Sequence, residues 1–489
     1  MPELPEHPNL VLIITDQERA PMHLPEGFAE RNLPSRARLM RHGVSFGQAT
    51  CNTAMCSPSR ATFLTGLMPA QHGVVDTLTA DGPVSATETV LSPELPNLAS
   101  MLRAGGYDVQ YRGKWHLSKG VTGAYDATAE DLAAYGFDGW IAPDAGGDTQ
   151  PESFGGGRAD HDAHYIEQAV DFLRQRGASG GAPFCLVVSL VNPHDVLAFP
   201  RDWQQDYEAA DLVGDVELPP SVDEDLAANR KPAAHTVMRA AIDMAVGKLE
   251  TREQQQQYVN FYANLVAQID RQIAPIVDCF YEPDGTPTAL GEETVIVRFS
   301  DHGELGMSHG GLRQKAFNVY EESLRVPLVF SNPRLVPEGR TCEHPASLVD
   351  LMPTVAGLLN VEPPPGLRGA DLTPLLRDPG AGPVQGEVLF TFDDMHAGTG
   401  RVPEIMPGVP GRIRCIREPR FKYARYFHAG GELPDEHEMY DLAEDPDELE
   451  NLAQPDHPRY GDPQVVAERQ RLAEKLARVE ERLAQPLAS

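Results

Sequence analysis

Five continuous apolar runs divide the first three quarters of the chain. They are NLVLIITD (9–16), YDVQYRG (107–113), PFCLVVSLV (183–191), TVIVRFSD (294–301) and VPLVFSN (326–332). Runs of this kind, without regular apolar–polar alternation, are typical of strands that are covered on both faces. Segments with helical spacing of apolar residues lie between them, chiefly 162–177 and 254–280. This alternation predicts an α/β fold with a large, mostly parallel central sheet flanked by helices.

The pattern changes after the Pro- and Gly-rich stretch at 377–387. VLFTF (388–392) is a predicted strand, and 411–427 is a predicted hairpin. A last helix, expected to pack on its own domain, carries four apolar residues on one face: Leu472, Leu476, Val479 and Leu483. We therefore predict a catalytic α/β domain at 1–380 and a smaller C-terminal α+β domain at 381–489 with an antiparallel sheet.

The charge balance narrows the classes of partner. The 489 residues carry a formal net charge of −31, which repels nucleic acid and anionic membrane surfaces, so we expect neither as a partner. The apolar runs are too short to span a bilayer. The start, MPELPEHPN, lacks the basic residues and apolar core of a secretory signal, and we expect a cytoplasmic protein. The sequence leaves open whether the chain forms a homo-oligomer.

Polar side chains gather where the predicted strands end. They are Asp16 and Gln17, Lys114 and His116 in GKWH, Asn192 and His194 in NPHD, Asp301 and His302 in SDHGE, and Lys315 farther along. One such Asp or His usually forms a turn or a structural hydrogen bond. Ligands of open α/β sheets, however, bind beyond the carboxyl ends of the strands. Four strand ends with such side chains therefore indicate a site.

Four of these residues could bind one divalent cation: Asp16, Gln17, Asp301 and His302. Carboxylate and amide oxygens suit Ca²⁺, Mg²⁺ or Mn²⁺, whereas the imidazole favours Mn²⁺ or another first-row metal. Ca²⁺ is our first choice, with Mn²⁺ or Mg²⁺ as alternatives. Lys114, Lys315 and Arg60 add positive charge, so the site would suit a small anion such as a sulfate or phosphate ester.

The stretch CNTAMCSPSRATFLTG (51–66) predicts a helix, with Pro58 in its first turn and Ser57 as its cap. The helix N-terminus would face the metal and favour an anion there, with Cys56 at the same point. Cys56 alone could be a buried apolar residue, a nucleophile or a metal ligand. Cys51 and Cys56 could form a metal-binding pair, but no second cysteine pair completes such a site.

CSPSRATFLTG resembles the signature of the type I sulfatases of the alkaline phosphatase superfamily, in which C-x-P-S-R directs oxidation of the cysteine to formylglycine. GKWH, NPHD and SDHGE follow in the family's order, and three later stretches extend the resemblance: 321–333, 348–360 and 438–453. The resemblance implies an alkaline-phosphatase-like fold with a small C-terminal domain built on an antiparallel sheet.

The resemblance also implies a mechanism. Cys56 would be converted by a formylglycine-generating enzyme to an aldehyde whose hydrate carries two hydroxyls and also binds the metal. One hydroxyl would attack sulfur, and loss of the proton from the other would expel sulfate. A serine or cysteine has no second hydroxyl and could not complete this cycle.

The same resemblance assigns roles to five further residues. His116 would be the base that triggers elimination of sulfate, and Lys114 would hold the formylglycine hydroxyl and an ester oxygen. His194 and Lys315 would bind the sulfate and protonate the leaving oxygen. Arg60 would orient the modified residue.

Gln17 departs from the common pattern, which has a second acid at this place. The set formed by Asp16, Gln17, Asp301 and His302 is more similar to the metal ligands of choline sulfatases and phosphonate monoester hydrolases. Because GKWH keeps the sulfatase Lys and His, we rank an arylsulfatase-like enzyme for a small sulfate monoester first. The alternative is a phosphonate monoester or phosphodiester hydrolase with the same formylglycine. A distant alternative is a silent metal- and anion-binding protein in which Cys56 stays a thiol.

The alcohol part of the substrate is expected to contact the loops 142–158 and 393–411, because loops beside a rigid site often carry specificity. Asp393, Asp394 and His396 are candidates in the second loop, and Asn192 is a further candidate substrate-binding residue.

Overall fold

The computed structural model of the chain describes residues 4–80, 82–120, 126–145, 161–179, 181–200 and 216–485. The strands are β1 (Asn9–Asp16), β2 (Gly43–Thr50), β3 (Asp108–Gly113), β4 (Phe184–Pro193), β5 (Thr294–Ser300), β6 (Leu328–Ser331), β7 (Arg340–Ser347), β8 (Val388–Phe392), β9 (Arg412–Arg417), β10 (Phe421–Phe427) and β11 (Glu436–Asp441). They form one sheet of seven strands and one of four.

The helices alternate with the strands of the large sheet. They are α1 (Phe28–Asn32), α2 (Pro34–Arg41), α3 (Cys56–Thr65), α4 (Pro69–His72), α5 (Leu98–Ala104), α6 (Ala129–Ala134), α7 (His161–Ser179), α8 (Ala233–Val246), α9 (Arg252–Val277), α10 (Ala289–Glu292), α11 (Ser308–Gly311), α12 (Glu321–Leu324), α13 (Leu351–Leu359), α14 (Thr373–Arg377) and α15 (Pro463–Leu483). Short 3-10 turns lie at Ser85–Thr87, His194–Ala198, Pro220–Asp223 and Leu348–Asp350.

The large sheet has the spatial order β3-β4-β1-β5-β6-β2-β7. The adjacent strands β3, β4, β1 and β5 are parallel to one another, and Ile13 of β1 lies opposite both Val188 and Arg298. Strand β2 is parallel to β7. Only β6 runs antiparallel to both of its neighbours in this sheet. All residues of β4 and β5 are buried, as expected for strands that helices cover on both faces. The predicted α/β fold class is confirmed.

Three strands were missing from the sequence prediction: β2, β7 and β11. β7 and β11 lie at sheet edges, where half of the strand faces solvent and polar residues are tolerated. β2 reads GVSFGQAT, whose two glycines and polar residues weaken a strand pattern. Its place between β6 and β7, rather than its own propensity, makes it a strand.

The second sheet is antiparallel, in the order β11-β10-β9-β8, and confirms the predicted antiparallel C-terminal sheet and hairpin. Helix α15 buries Val465, Leu472, Leu476 and Val479 in a cluster with residues of this sheet such as Leu389 and Ile416. The predicted Leu483 is only partly buried. The boundary at 380 stays a prediction.

The apolar core runs on from the large sheet into the small one. Phe392 of β8 packs on Phe317, with ring centroids 4.7 Å apart, and one apolar cluster contains both Phe299 and Ile413. No helix in the described part of the chain combines the length and apolar character needed to cross a membrane.

Leu472→Ala should lower the free energy of unfolding by about 2–5 kcal/mol, because it leaves a cavity under α15. Urea denaturation followed by circular dichroism would measure it. Val466→Ala is a matched control on the same helix, since Val466 is 36% exposed, and it should change stability by no more than about 0.5 kcal/mol. Equal effects of the two changes would contradict the packing of α15 described here.

Candidate active site

Neighbouring strands of the large sheet deliver the predicted polar residues to one edge. Asp16 ends β1, Lys114 follows β3, His194 follows β4 and Asp301 follows β5. These four strands are adjacent, and all four side chains are at least 95% buried. The predicted convergence of strand ends is therefore present.

Helix α3 brings Cys56 to the same edge. The helix begins at Cys56, after Met55 in extended conformation, and all ten of its residues are buried. Pro58 lies in the first turn as predicted, but the prediction that Ser57 caps the helix was wrong. Ser57 lies inside the helix, and its Oγ accepts a hydrogen bond from the backbone N–H of Leu78, which fixes a neighbouring loop.

Four side chains surround one point with the ligand types of a divalent cation: Asp16, Cys56, Asp301 and His302. One ligand atom from each lies within 4.8 Å of the others. Cys56 Sγ is 3.2 Å from His302 Nε2, which is itself 3.7 Å from the Oδ1 atoms of Asp16 and Asp301. Two carboxylates, an imidazole and the side chain of residue 56 fit such an ion.

Gln17 lies beside this group but its amide is engaged elsewhere. Its Oε1 accepts a hydrogen bond from Lys315 Nζ at 2.5 Å, and its Nε2 donates to Glu304 and to Gln314. Its contact with the carboxylates of the four-residue group is made by its backbone N–H, which donates to Asp301 Oδ1 at 3.2 Å. Gln17 as a metal ligand stays a prediction. The structure shows it holding Lys315.

The guanidinium of Arg60 balances the negative charges of Asp16 and Asp301. Its NH2 is 3.0 Å from Asp16 Oδ2 and 3.1 Å from Asp301 Oδ2. Its NH1 donates to Ser189 Oγ at 2.7 Å and to the carbonyl of Lys114 at 3.1 Å. Because the guanidinium is 1% exposed, this network positions both carboxylates.

Lys114 forms an ion pair with Asp16, and its backbone N–H bonds the carbonyl of Ser189. Gly113 permits this approach of β3 to β4, since a Cβ there would lie 1.9 Å from the same carbonyl oxygen and φ is +94°. Burial lowers the pKa of Lys114, but the negative charges of Asp16 and Cys56 outweigh it and raise that pKa overall. The side chain therefore stays cationic.

The field of the site favours an anion at residue 56. Burial alone would raise the pKa of the Cys56 thiol, but the charges of Lys114, Lys315 and His302 lower it well below its usual value. Burial lowers the pKa of His194 to about 4, so its imidazole is neutral at pH 7. Burial, followed by the charge of Asp16, raises the pKa of Asp301 to about 6.

His116 is held in a defined orientation. Its Nε2 hydrogen-bonds the carbonyl of Leu78 at 2.9 Å, so in the neutral ring Nδ1 is the basic nitrogen. Its backbone N–H donates to Asp144, a buried carboxylate that also accepts from the N–H of Trp115. The sequence prediction missed Asp144 because it lies far along the chain from GKWH and forms no motif with it.

A cavity of about 130 Å³ opens onto these groups. Cys56, His116, His194 and Lys315 form its polar end, and its apolar wall includes Leu197, Met238 and Ile242. Three lining residues other than glycine have left-handed backbone conformations: His116, Gln314 and Ala397. Such conformations are uncommon and often occur at functional sites.

Glu304, two residues after His302, is a second residue that the prediction missed. It accepts hydrogen bonds from Gln17, from Tyr258 and from the backbone of Gln314. It thereby fixes the amide that holds Lys315. Its place in the SDHGE stretch was the available signal.

The family model described as Sulfatase matches residues 8–361 of the chain. The chain belongs to the sulfatase family. A model described as the C-terminal part of N-sulphoglucosamine sulphohydrolase matches residues 309–482. The sequence resemblance, and with it the prediction of a hydrolase acting on sulfuric ester bonds, is confirmed.

Curated members of the family match over most of their length. The chain is 27% identical to an ulvan-active sulfatase of Formosa agariphila, covering 86% of this chain and 73% of that protein. It is 26% identical to a choline-sulfatase of Rhizobium meliloti, covering 91% of this chain and 82% of that protein.

Solved structures share the fold. A 2-O GAG sulfatase has a TM-score of 0.72 at 23% identity, with 97% of this chain and 94% of that chain covered. The phosphonate monoester hydrolase of Agrobacterium radiobacter has a TM-score of 0.66 at 22% identity, with 97% and 96% covered.

The remaining predicted substrate residues of this sulfatase-family chain lie outside the lining of the Cys56 cavity. Asn192 is buried and bonds Asp195 and Asp162. His396 faces an adjoining cavity of about 360 Å³, which Asp393 also lines. Residues 146–158 of the predicted specificity loop lie outside the described residues. The substrate-binding roles of Asn192 and His396 stay predictions.

Proposed function

We propose that the protein hydrolyses a small sulfate monoester, of the aryl type, through a formylglycine formed from Cys56. The observation that carries this proposal is the position of Cys56. It lies at the first residue of a buried helix, beside two carboxylates and an imidazole, in a cavity that also contains His116, His194 and Lys315.

The residues that would hold the divalent cation are Asp16, Asp301, His302 and the modified residue 56, and the cation would supply positive charge to the ester oxygens. Arg60 keeps the two carboxylates in place, and Lys114 pairs with Asp16 on the other side. Ca²⁺ remains our first choice, and the imidazole keeps Mn²⁺ as the main alternative.

Formylglycine, as its hydrate, would supply a hydroxyl for attack on sulfur, with loss of the proton of that hydroxyl and departure of the alcohol. The leaving oxygen takes a proton. Because burial lowers the pKa of His194 and leaves its imidazole neutral at pH 7, we assign to His194 a hydrogen bond to the leaving oxygen and to Lys315 the role of proton donor. Gln17 and Glu304 hold Lys315 for this purpose.

In the second step, His116 removes the proton of the remaining hydroxyl. Loss of this proton would let sulfate leave as the aldehyde forms again, and water would restore the hydrate. The hydrogen bond from His116 to Leu78 leaves the other ring nitrogen as the base.

The apolar wall of the cavity supports a small, partly apolar alcohol. Leu197, Met238 and Ile242 would contact an aromatic ring better than a polyhydroxylated sugar.

The second candidate function, hydrolysis of phosphonate monoesters, is favoured by Gln17 and by the shared fold with phosphonate monoester hydrolases. The deciding experiment compares kcat/KM for para-nitrophenyl sulfate and for a phenyl phosphonate monoester on the converted enzyme. We expect the sulfate to be preferred at least about tenfold, or about 1.4 kcal/mol in transition-state binding. A preference of that size for the phosphonate would assign the second function instead.

Replacing His194 with alanine should slow esters of poor leaving groups more than esters of good ones, because the hydrogen bond from its neutral imidazole to the leaving oxygen matters most where the alcohol leaves poorly. We expect kcat/KM for an alkyl sulfate to fall about 10²–10³-fold, and for para-nitrophenyl sulfate about tenfold or less. Initial rates on the two esters measure this. Equal losses would remove His194 from assisting the leaving oxygen.

A further inference from the structure

A second group of side chains that could hold a metal ion lies beside the cavity of about 360 Å³, and two of its members, Asp76 and His396, line that cavity. It comprises Asp76, Asp394 and His396, whose ligand atoms lie within 4.8 Å of one another. His396 Nε2 is 3.4 Å from Asp76 Oδ1, and His396 Nδ1 is 3.6 Å from Asp394 Oδ1. These separations are too long for good hydrogen bonds.

The imidazole of His396 is the unusual member of the group. It is 3% exposed, and neither ring nitrogen has a hydrogen-bond partner among the described residues. Buried polar groups are nearly always hydrogen-bonded or bound to an ion, so such a ring needs an explanation. An ion between the imidazole and the carboxylates would supply the missing interaction.

The surroundings hold the group in place. Asp394 accepts hydrogen bonds from the backbone N–H groups of Thr77, His396 and Ala397 at 2.8, 3.2 and 2.6 Å. Hydrogen bonds of this kind fix the orientation of a carboxylate that binds a metal ion. Glu88, 3.9 Å from His396, is already paired with Lys119 and is a neighbour rather than a ligand.

An ion could also reach the group. The side chain of Asp76 is 24% exposed and lines the cavity of about 360 Å³. Within the described structure the carboxylate of Asp76 has no hydrogen bond, and His396 Nε2 at 3.4 Å is too far away for a good one, so its oxygens are available. An entry path and room for water complete the usual conditions for a metal site.

We propose that Asp76, Asp394 and His396 form a second divalent metal site, separate from the one at Asp16, Asp301 and His302. Two carboxylates and one imidazole are a donor set for Mn²⁺ or Zn²⁺ rather than Mg²⁺. Three protein ligands leave positions open to water on the cavity side.

The site would join two segments that form walls of the Cys56 cavity. Thr77 and Leu78 directly follow Asp76 in the chain. Ala397 and Gly398 directly follow His396. All four of these following residues line the Cys56 cavity. A bound ion would therefore fix the distance between these walls. This role does not depend on which ester the enzyme hydrolyses.

The test counts the Mn²⁺ ions bound by the metal-stripped 489-residue chain, using electron paramagnetic resonance of the free ion. We expect two ions per chain for the wild type and one for Asp76→Asn and for His396→Gln. Asp301→Asn should bind one ion, at the second site. The double variant with Asp301→Asn and Asp76→Asn should bind none. Glu404→Gln, a carboxylate of the same cavity outside the group, is the matched control and should keep two.

One ion per chain in the wild type, or two in Asp76→Asn, would overturn the proposal. A raised KM in Asp76→Asn with an unchanged ion count would likewise overturn it and assign the group to the alcohol of the substrate. Because Asp76→Asn is isosteric and breaks no hydrogen bond of the fold, its melting temperature in chelator should match the wild type. The double variant distinguishes loss of this site from loss of the first one.

Discussion

Replacing Cys56 with serine should abolish repeated turnover on every sulfate ester, lowering kcat/KM at least about 10³-fold. Serine has one hydroxyl, so an attack on sulfur would leave a stable sulfate ester on the enzyme with no second hydroxyl to expel it. We expect at most one alcohol released per enzyme molecule, together with a mass increase of one SO₃ group on the peptide that contains residue 56. Stopped-time assays and peptide mass spectrometry measure the two quantities.

Cys51→Ser is the matched control. Cys51 is a buried thiol five residues earlier, and its Sγ donates to the backbone carbonyl of Ser323 at 3.6 Å. Burial, followed by the charge of Asp301, raises its pKa, so it has no tendency to form a thiolate. Activity close to wild type is expected. Sustained turnover by Cys56→Ser would contradict the formylglycine mechanism.

Asp301→Asn should remove the divalent cation from the site at Cys56 and with it the activity. The change takes one of two carboxylates from the site and leaves Arg60 facing only Asp16. Because even residues that orient metal ligands change metal affinity about 10- to 100-fold, the loss of a direct ligand should exceed about 100-fold. Titration of stripped protein with Ca²⁺ and Mn²⁺ gives the affinity, and the rate at limiting metal should fall in parallel.

Asp270→Asn separates this effect from a loss of stability. Asp270 is also fully buried, accepts backbone N–H bonds from Ser35 and Arg36, and lies 3.9 Å from a buried arginine, Arg298. We expect both variants to unfold at lower denaturant concentration, but only Asp301→Asn to lose affinity for the ion. Unchanged metal affinity in Asp301→Asn would exclude Asp301 as a ligand.

The sequence predicted the parts of this molecule that are fixed locally. Strands buried on both faces are continuous apolar runs, and polar residues that follow them must meet at one edge of a parallel sheet. Asp16, Lys114, His194 and Asp301 were found in this way. The position of Cys56 followed from the short motif at the start of α3.

The parts that the sequence did not predict depend on distant contacts. β7 and β11 are strands because of their neighbours and carry polar residues on an exposed edge. Asp144 approaches His116 only through the fold. Gln17 was predicted as a ligand from its type, but its amide orientation is set by Lys315 and Glu304.

The mass of the proteolytic peptide that contains Cys56 tests the central claim most directly. The protein would be produced together with a formylglycine-generating enzyme and digested without reduction of aldehydes. We predict the aldehyde or its hydrate in place of the thiol. An unmodified thiol, despite a maturation system that converts a known sulfatase in parallel, would contradict it and favour a metal- and anion-binding protein without turnover.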